Sequence, residues 1–386
     1  MSSSSRYLLV GGGMTGDAAA EGIRRHDPDG TITLVSAEAY APYARPPLTK
    51  KLWAGGDEAT IWRGTAERGV ELVLGRRIVD LDLDVRRAVD DQGDVYEYEK
   101  LLLATGGRPR KLADADDDVV YFRTLDDYRV LRERAGEGSS FAVVGGGFIG
   151  SELAAALAGA DSHVTMVFPE PAVAARLFPA GLAQFVTDYY REHGVEVLSG
   201  ETVASVRGGR LTTGSGRVVE PDLVVAGLGI EPATELAAAA GLPVDNGIVV
   251  DEFGRVGGRD DVFAAGDVAN FPIPALGTRT RVEHEDHALS HGRAVGANMA
   301  GAGEPYDHIP FFYSDLFDLG YEAVAEVDSG LATIERWEEP NRKGVVAYVD
   351  DERRPRGVLL WNTWGKVDAA RTLIRAGTPI DESTVV

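Results

Sequence analysis

Two glycine-rich turns carry the clearest chemical signal in the sequence. In each turn, three glycines in GxGxxG spacing separate an apolar run from an alanine-rich stretch. Glycine at these positions allows a tight turn and lets backbone amides approach a pyrophosphate at a helix N-terminus. One such turn is weak evidence, but two complete ones predict two dinucleotide sites in one chain. The first contains Gly11, Gly13 and Gly16, and the second contains Gly145, Gly147 and Gly150.

An acidic residue follows each turn, just beyond a second β-rich run. Glu38 follows the run that ends at Val35, and Glu170 follows HVTMVF. A carboxylate at this position accepts hydrogen bonds from the ribose hydroxyls of a dinucleotide. Glu170 therefore favours NADH over NADPH at the second site, with the nearby Arg176 leaving NADPH as the alternative.

The stretch AYAPYARPPLTKKLW, residues 39–53, is a further candidate for chemistry. Its adjacent prolines exclude a helix interior or a central strand, so the segment is stiff. Its two lysines, Lys50 and Lys51, could serve a reaction or lie on the surface, and the stretch by itself does not separate these alternatives.

The elements that must position these residues form a duplicated β–turn–α–β pattern. In the first copy, a strand over Arg6–Val10 leads through the turn into a helix that ends near Arg25, and a second strand covers Thr31–Val35. The second copy runs through FAVVGGGFIGSELAAALAGA and HVTMVF. Repetition at this length indicates duplication of a module.

Three other regions complete the predicted elements. Val70–Asp94 has the pattern of meandering strands, and His287–Met299 has that of a helix. From about Asp307 the sequence becomes rich in aromatic and β-branched residues, which predicts a mainly antiparallel sheet closed by a helix over Val367–Arg375.

Composition excludes several classes of function. The 386 residues include no cysteine, which removes disulfides, thiolate metal sites and cysteine nucleophiles. A net charge of −22 disfavours nucleic acid and anionic membranes as partners. The N-terminal residues contain no apolar signal sequence, and glycines and Glu152 interrupt the apolar window of residues 141–160. We therefore expect a cytoplasmic protein.

Three histidines at helical spacing resemble a metal site. His284, His287 and His291 are three and four residues apart, so they share one face of a helix. Packing explains such a set more often than a metal does, and we predict no metal here.

Many motifs give the chain a family resemblance over nearly its whole length. The motifs are YLLVGGGMTG, PYARPPLTKKLW, LLATGGRPR, VVGGGFIGSELA, VFAAGDVANF, RVEHEDHALSHGRAVGANMAG, FFYSDLFDLGYEAV and RGVLLWN. With them the chain resembles the FAD-dependent pyridine-nucleotide oxidoreductases with two dinucleotide-binding domains, and within that family it is most similar to apoptosis-inducing factor and the oxygenase-coupled ferredoxin reductases.

The resemblance implies an α/β fold with two Rossmann-like domains and a C-terminal α+β domain whose antiparallel sheet covers the flavin. The first turn would bind FAD and the second NADH, with NADPH less favoured. The predicted domains are residues 1–113 with 245–306 for FAD, 114–244 for NAD and 307–386 for the C-terminal unit.

The resemblance also assigns residues to FAD beyond the turn and Glu38. Arg45 would contact the pyrophosphate, Thr105 and Gly106 would lie along the cofactor, and Asp267 would bind the ribityl chain. His284 would lie against the isoalloxazine as a catalytic residue.

On the NAD side, Phe148 would gate or stack near the nicotinamide, and Glu283 would contact its amide. Glu283 thus belongs to both cofactor sets. Tyr313 stands where the family often has tryptophan, which weakens any aromatic role there.

Lys50 and Glu152 would form the catalytic pair. The resemblance places Lys50 by flavin N5 and pairs it with Glu152, which also belongs to the NAD set. A lysine there would stabilise the negative charge that a flavin gains on reduction, and a buried lysine needs a partner. In the alternative, both lysines are exposed and Glu152 only complements a helix N-terminus. We assign Lys51 to solvent.

Without a redox cysteine, electrons must leave the flavin for an external acceptor. The leading hypothesis is an NADH-dependent FAD oxidoreductase like apoptosis-inducing factor, with oxygen, a quinone or a protein as acceptor. The first alternative is the ferredoxin reductase of an oxygenase chain, with an iron–sulfur partner. The second is an NADH-responsive redox-sensing homodimer.

The net charge of the chain disfavours an acidic ferredoxin as partner, but three arginine groups could offset this locally. They are Arg76-Arg77, Arg86-Arg87, and Arg353-Arg354 with Arg356.

Overall fold

A computed structural model describes residues 2–385, which pack into two compact units. Unit 1 contains the described residues up to 45 together with 58–108 and 232–310. Unit 2 contains residues 46–57, 109–231 and those from 311 onward. The segment that carries Lys50 therefore packs within unit 2, although the chain on both sides of it belongs to unit 1. The predicted division into FAD, NAD and C-terminal domains stays a prediction.

Seven helices lie within the described residues, together with short 3-10 turns. The helices are α1 (Met14–His26), α2 (Leu125–Arg134), α3 (Phe148–Gly159), α4 (Ala180–Glu192), α5 (Glu235–Ala239), α6 (Glu285–Met299) and α7 (Val367–Ala376). The 3-10 turns are Pro46–Leu48, Glu58–Thr60, Ala66–Arg68, Gly266–Val268, Pro274–Leu276 and Glu382–Thr384.

The strands in chain order fall into two halves. The first are β1 (Ser2–Val10), β2 (Ile32–Ser36), β3 (Val70–Leu74), β4 (Ile78–Asp82), β5 (Arg87–Asp90), β6 (Val95–Leu103), β7 (Gly107–Pro109), β8 (Val120–Tyr121), β9 (Ser140–Val144), β10 (His163–Phe168), β11 (Glu196–Ser199) and β12 (Val203–Arg207). The others are β13 (Arg210–Thr213), β14 (Val218–Val219), β15 (Leu223–Ala226), β16 (Ile230–Pro232), β17 (Ile248–Val249), β18 (Val262–Ala264), β19 (Ala269–Ile273), β20 (Thr278–Thr280), β21 (Phe311–Leu316), β22 (Leu319–Ala325), β23 (Ala332–Glu339), β24 (Lys343–Val349) and β25 (Pro355–Trp361).

Unit 1 is built on one sheet with the order β3–β2–β1–β6–β5–β4, and β18 also pairs with β6. Strands β1, β2, β3, β6 and β18 run parallel, whereas β4 and β5 form an antiparallel hairpin beside β6. The turn after β1 leads into α1, so this turn lies at the carboxyl edge of the parallel strands, where α/β sheets bind ligands. Helix α6 packs along α1.

Unit 2 contains a parallel sheet and an antiparallel one. The parallel sheet has the order β11–β10–β9–β15–β8, and the turn between β9 and α3 occupies the place that the first turn has in unit 1. The antiparallel sheet has the order β21–β22–β25–β24–β23, and α7 packs on it. These architectures confirm the predicted α/β class with a C-terminal antiparallel sheet.

Two predicted element boundaries differ from the structure by more than one residue. Strand β1 begins at Ser2 and not at Arg6, because Ser2–Ser5 pair in parallel with Val95–Tyr98 of β6. Backbone pairing does not require apolar side chains, so the serines gave no signal. Helix α6 begins at Glu285, directly after His284 as its N-cap residue. Among residues 2–385, no helix is long and apolar enough to cross a membrane.

Candidate functional site

The first glycine turn forms a cradle whose shape only glycine allows. Gly11 has a φ of +125°, and a Cβ atom there would overlap the Ala104 carbonyl. A Cβ atom at Gly16 would overlap the Gly11 carbonyl, whereas at Gly13 it would meet nothing within 4 Å. The turn thus packs tightly on one side and stays open beside the N-terminus of α1, which has no side-chain cap. A pyrophosphate fits an open helix N-terminus of this kind.

The second turn repeats this geometry in unit 2. Gly145 has a φ of +117° and packs against the Gly227 carbonyl, and Gly150 packs against the Gly145 carbonyl. The position of Gly147 is open, and the N-terminus of α3 also lacks a side-chain cap. Each unit therefore offers a site that fits the pyrophosphate of a dinucleotide.

Glu38 and Arg45, two predicted FAD residues, are brought together in unit 1. The Arg45 guanidinium forms an ion pair with the Glu38 carboxylate, and the Tyr43 hydroxyl donates to the other carboxylate oxygen at 2.6 Å. Arg45 lies 5.1 Å from the centre of the Tyr43 ring. A cation and an anion thus lie together just beyond the end of β2.

Thr105 and Gly106 are held by one neighbouring residue. The Thr105 hydroxyl donates to the Ala233 carbonyl at 2.7 Å, and the Ala233 amide donates to the Gly106 carbonyl at 2.9 Å. These bonds fix the backbone that follows β6 and lies next to the first glycine turn. Their predicted roles toward FAD stay predictions.

Asp267 and Glu283 are linked by Arg281, which the sequence reasoning did not assign. Arg281 donates to the Asp267 carbonyl at 3.2 Å and forms an ion pair with Glu283 at 2.7 Å. Its side chain is only 9% exposed. In the sequence, the available signal was the place of Arg281 as the first residue of the motif RVEHEDHA.

The three histidines of the α6 region separate into two groups. His284 precedes the helix, whereas His287 and His291 are fully buried in an aromatic cluster with Phe271 and Tyr306. The Gly266 amide donates to His291 Nδ1 at 3.3 Å, so this ring is neutral with its proton on Nε2. Burial lowers the pKa of His291 to about 3, and burial with neighbouring histidines lowers that of His287 well below its usual value. In the part of the chain that the structure describes, no cluster could hold a metal.

The structure brings Lys50 and Glu152 into direct contact within unit 2. Lys50 Nζ lies 2.5 Å from Glu152 Oε1, and the two side chains are 12% and 5% exposed. Two hydroxyls that the sequence reasoning missed complete the carboxylate: Ser314 donates to Oε1 and Thr49 to Oε2, each at 2.5 Å. Lys51 is exposed, as expected.

Two buried tyrosine hydroxyls near Glu152 have a raised pKa. Burial first, and then this carboxylate, raises the pKa of Tyr190 and of Tyr321 well above the usual value for tyrosine. Both phenols therefore stay protonated at any physiological pH.

Aromatic rings lie beside this pair. Phe148, at the start of α3, meets Phe312 edge to face with ring centres 4.8 Å apart. Lys50 Nζ lies 5.2 Å from the centre of the Tyr313 ring, so the position that often holds tryptophan still gives the lysine an aromatic neighbour.

Glu170 lies after β10, where the sequence placed it. Its carboxylate pairs with Arg176 at 2.6 Å, and Arg176 is 83% exposed. The two residues that the sequence weighed against each other for NADH and NADPH are thus neighbours. Because Arg176 is exposed, it can leave Glu170 at little cost, and either partner can turn to a ribose or a phosphate.

Known proteins share these features. Residues 5–292 match the family described as pyridine nucleotide-disulphide oxidoreductase, and residues 295–342 match the C-terminal region described as apoptosis-inducing factor, mitochondrion-associated. The chain is 34% identical to mitochondrial apoptosis-inducing factor 1 of Dictyostelium discoideum, over 98% of this chain and 79% of that protein.

Two reductases give matches of similar extent. The ferredoxin–NAD(+) reductase component of the anthranilate 1,2-dioxygenase system of Burkholderia cepacia is 34% identical, with 98% of this chain and 96% of that protein covered. The solved structure of the covalent putidaredoxin reductase–putidaredoxin complex aligns with a TM-score of 0.92 and 29% identity, covering 98% of this chain and 95% of that one.

The duplicated cradles and the buried lysine–carboxylate pair define an NAD(P)H-dependent flavoprotein oxidoreductase, which binds FAD and a pyridine nucleotide. The chain belongs to the pyridine nucleotide-disulphide oxidoreductase family. The predicted resemblance and the predicted enzyme class are thereby confirmed.

Proposed function

We propose that the protein oxidises NADH through bound FAD and delivers the electrons directly to an external acceptor. The single observation that carries this proposal is the buried Lys50–Glu152 contact in a chain without cysteine. Bound FAD would supply the hydride-accepting and electron-transfer chemistry between the nicotinamide and that acceptor. A chain without cysteine has no dithiol to receive the electrons.

The surroundings of Lys50 and Glu152 support the roles that we propose for the site residues. Lys50 supplies a positive charge in a largely buried position, where it stabilises negative charge more than in water. Glu152 forms an ion pair with that lysine and holds it in place. Phe148 orients the nicotinamide ring, and the two glycine cradles hold the pyrophosphates.

Anaerobic mixing tests the proposal. We expect NADH to bleach the flavin absorbance of the purified protein quickly, NADPH to do so more slowly, and a quinone to restore it. A flavin that keeps its absorbance in the presence of NADH would remove the proposal.

The cofactor preference gives a separate prediction. Replacement of Glu170 by glutamine is expected to lower kcat/KM for NADH about tenfold, since a charged hydrogen-bond partner of a ribose contributes about 1.5–3 kcal/mol. The same change is expected to raise kcat/KM for NADPH, because a carboxylate repels a 2′-phosphate.

The matched control is Glu220→Gln, since Glu220 is also an acid of unit 2 in an exposed ion pair, with Arg210. It should leave both constants unchanged. Equal losses with NADH and NADPH in Glu170→Gln would show that Glu170 does not contribute to the choice between them.

A ferredoxin is the second candidate acceptor. The near-complete coverage of a ferredoxin–NAD(+) reductase component and the likeness to a reductase solved with putidaredoxin support it. Against it, arginines of each predicted basic group pair with acids of this chain. The pairs are Arg76 with Asp90, Arg86 with Asp261, and Arg356 with Glu326.

Salt dependence separates the two acceptors. If a [2Fe–2S] ferredoxin is the acceptor, its reduction should outpace that of a quinone and fall steeply as ionic strength rises, because screening weakens charged docking. A quinone rate that is faster and independent of salt would favour the leading proposal and exclude the ferredoxin.

A further inference from the structure

The Glu152 carboxylate is held by donors from two separate parts of unit 2. Thr49 and Lys50, adjacent in the chain, each contact a different oxygen of this one carboxylate. Ser314 of β21 shares Oε1 with Lys50. Glu152 itself lies on α3, so helix, strand and proline segment meet at a single charged group.

The proline segment is shaped for this contact. The Thr49 and Lys50 amides donate to the carbonyls of Pro46 and Pro47, each at 3.3 Å, which closes the 3-10 turn before the lysine. Trp53 then packs edge to face on Tyr128 of α2, with ring centres 5.6 Å apart. The backbone that carries Thr49 and Lys50 is therefore fixed at both ends.

For its proposed role, the Lys50 ammonium must be held in a fixed position as well as buried. A lysine side chain is a flexible four-carbon stem, and its ammonium moves unless its partner is fixed. A carboxylate with one donor can rotate, whereas one with a donor on each oxygen cannot rotate without losing a charge-assisted hydrogen bond. The two hydroxyls thus determine how well the ammonium is located.

We propose that Thr49 and Ser314 are positioning residues for the reaction: their hydroxyls fix the Glu152 carboxylate, which in turn fixes the Lys50 ammonium. This inference rests on the proposed role of Lys50. A purely structural role would instead let both hydroxyls stabilise the fold and leave the lysine unaffected.

Chemical labelling of the FAD-loaded protein tests the position of the lysine directly. Brief treatment with acetic anhydride and mass spectrometry gives the acetylation rate of Lys50 relative to Lys51, the exposed lysine beside it. We expect Lys50 to react about tenfold more slowly in the natural protein, because its largely buried, ion-paired amine is less accessible to the reagent. Thr49→Val and Ser314→Ala should each raise the ratio at least about threefold, and Thr49→Ser should restore it.

The flavin midpoint potential supplies the second measurement. In Thr49→Val and Ser314→Ala we expect the equilibrium between reduced and oxidised cofactor to shift about tenfold toward the oxidised form. For a two-electron couple this lowers the midpoint potential by about 30 mV. Thr363→Val is the matched control, since this buried hydroxyl of unit 2 bonds to the carbonyls of Gly344 and Trp361. It should change neither quantity.

The outcomes separate this inference from the proposed function. If Lys50→Met shifts the potential while Thr49→Val and Ser314→Ala shift neither potential nor labelling, the positioning role is wrong and the role of Lys50 stands. A change in labelling without a change in potential also contradicts the positioning role. If Lys50→Met leaves the potential unchanged, the role of Lys50 and the positioning role of the two hydroxyls are both wrong. Ser314→Ala keeps the test valid should Thr49→Val not retain FAD.

Discussion

Replacement of Lys50 by methionine is expected to slow the anaerobic reduction of the bound flavin by NADH about a hundredfold. Methionine keeps much of the length and apolar character of the stem but removes the charge. Loss of one preorganised electrostatic group in a catalytic site costs about 100-fold to 1,000-fold in rate, or about 2.7–4 kcal/mol. Lys50 is largely buried against Glu152, so water does not readily replace its charge.

The control for this change is Lys51→Met. Lys51 is adjacent in the chain and exposed, so its loss should alter the stopped-flow rate by less than about twofold. A second control is the double variant Lys50→Met with Glu152→Gln. It avoids an unpaired buried carboxylate, which by itself destabilises a fold by about 3–5 kcal/mol.

Two results would contradict the role of Lys50. In one, both lysine variants reduce the flavin at the natural rate, which would return the segment to a structural role. In the other, the double variant recovers the natural rate. The slow step would then arise from the stranded carboxylate and not from the missing ammonium.

Acidification is expected to destabilise unit 1 through His287 and His291. Both imidazoles are buried and neutral, and the folded-state pKa of His291 is lowered to about 3. Below the ordinary histidine pKa of about 6.5, the unfolded chain binds protons that the folded chain excludes. The stability that depends on the two neutral rings is complete above about pH 6.5 and falls as the pH is lowered. For His291 the fall continues to about pH 3. Each histidine then lowers the free energy of unfolding by about 1.4 kcal/mol per pH unit.

Urea unfolding between about pH 7.5 and pH 4.5 measures this slope. The neighbouring His284 and His308 repel a protonated His287 and so also lower its pKa. Carboxylates elsewhere in the chain add their own dependence of unfolding free energy on pH. Comparison of variants removes that background. His287→Phe keeps an aromatic ring against Phe271 and should flatten the slope by about 1.4 kcal/mol per pH unit. The exposed His26→Gln should not alter it, and equal slopes in all three proteins would show that His287 does not titrate on unfolding.

Sequence predicted those features whose cause is local. The glycine turns, the acids after the second strands and the duplicated strand–helix order depend on neighbours in the chain, and both cradles form as expected. The contact of Lys50 with Glu152 was predicted from family resemblance alone. No pattern of residues within either segment shows that they meet.

The missed residues depend on contacts between distant parts of the chain. Thr49 reaches Glu152 across a separation of 103 residues, and Ser314 does so across 162. A single hydroxyl gives no periodic signal, so only the folded structure shows its partner. Arg281 was missed for a related reason: its bonds include the Asp267 backbone carbonyl, which any residue type would present.

The membership of residues 46–57 in unit 2 limits how this enzyme can be recombined. Exchange of residues 109–231 alone with a relative would move only the part of unit 2 that contains the second glycine cradle. Glu152 would then leave Thr49, Lys50 and Ser314 behind and reach its new host as a buried charge without its own partners. Chimeras should therefore carry the three pieces of sequence that form unit 2 together.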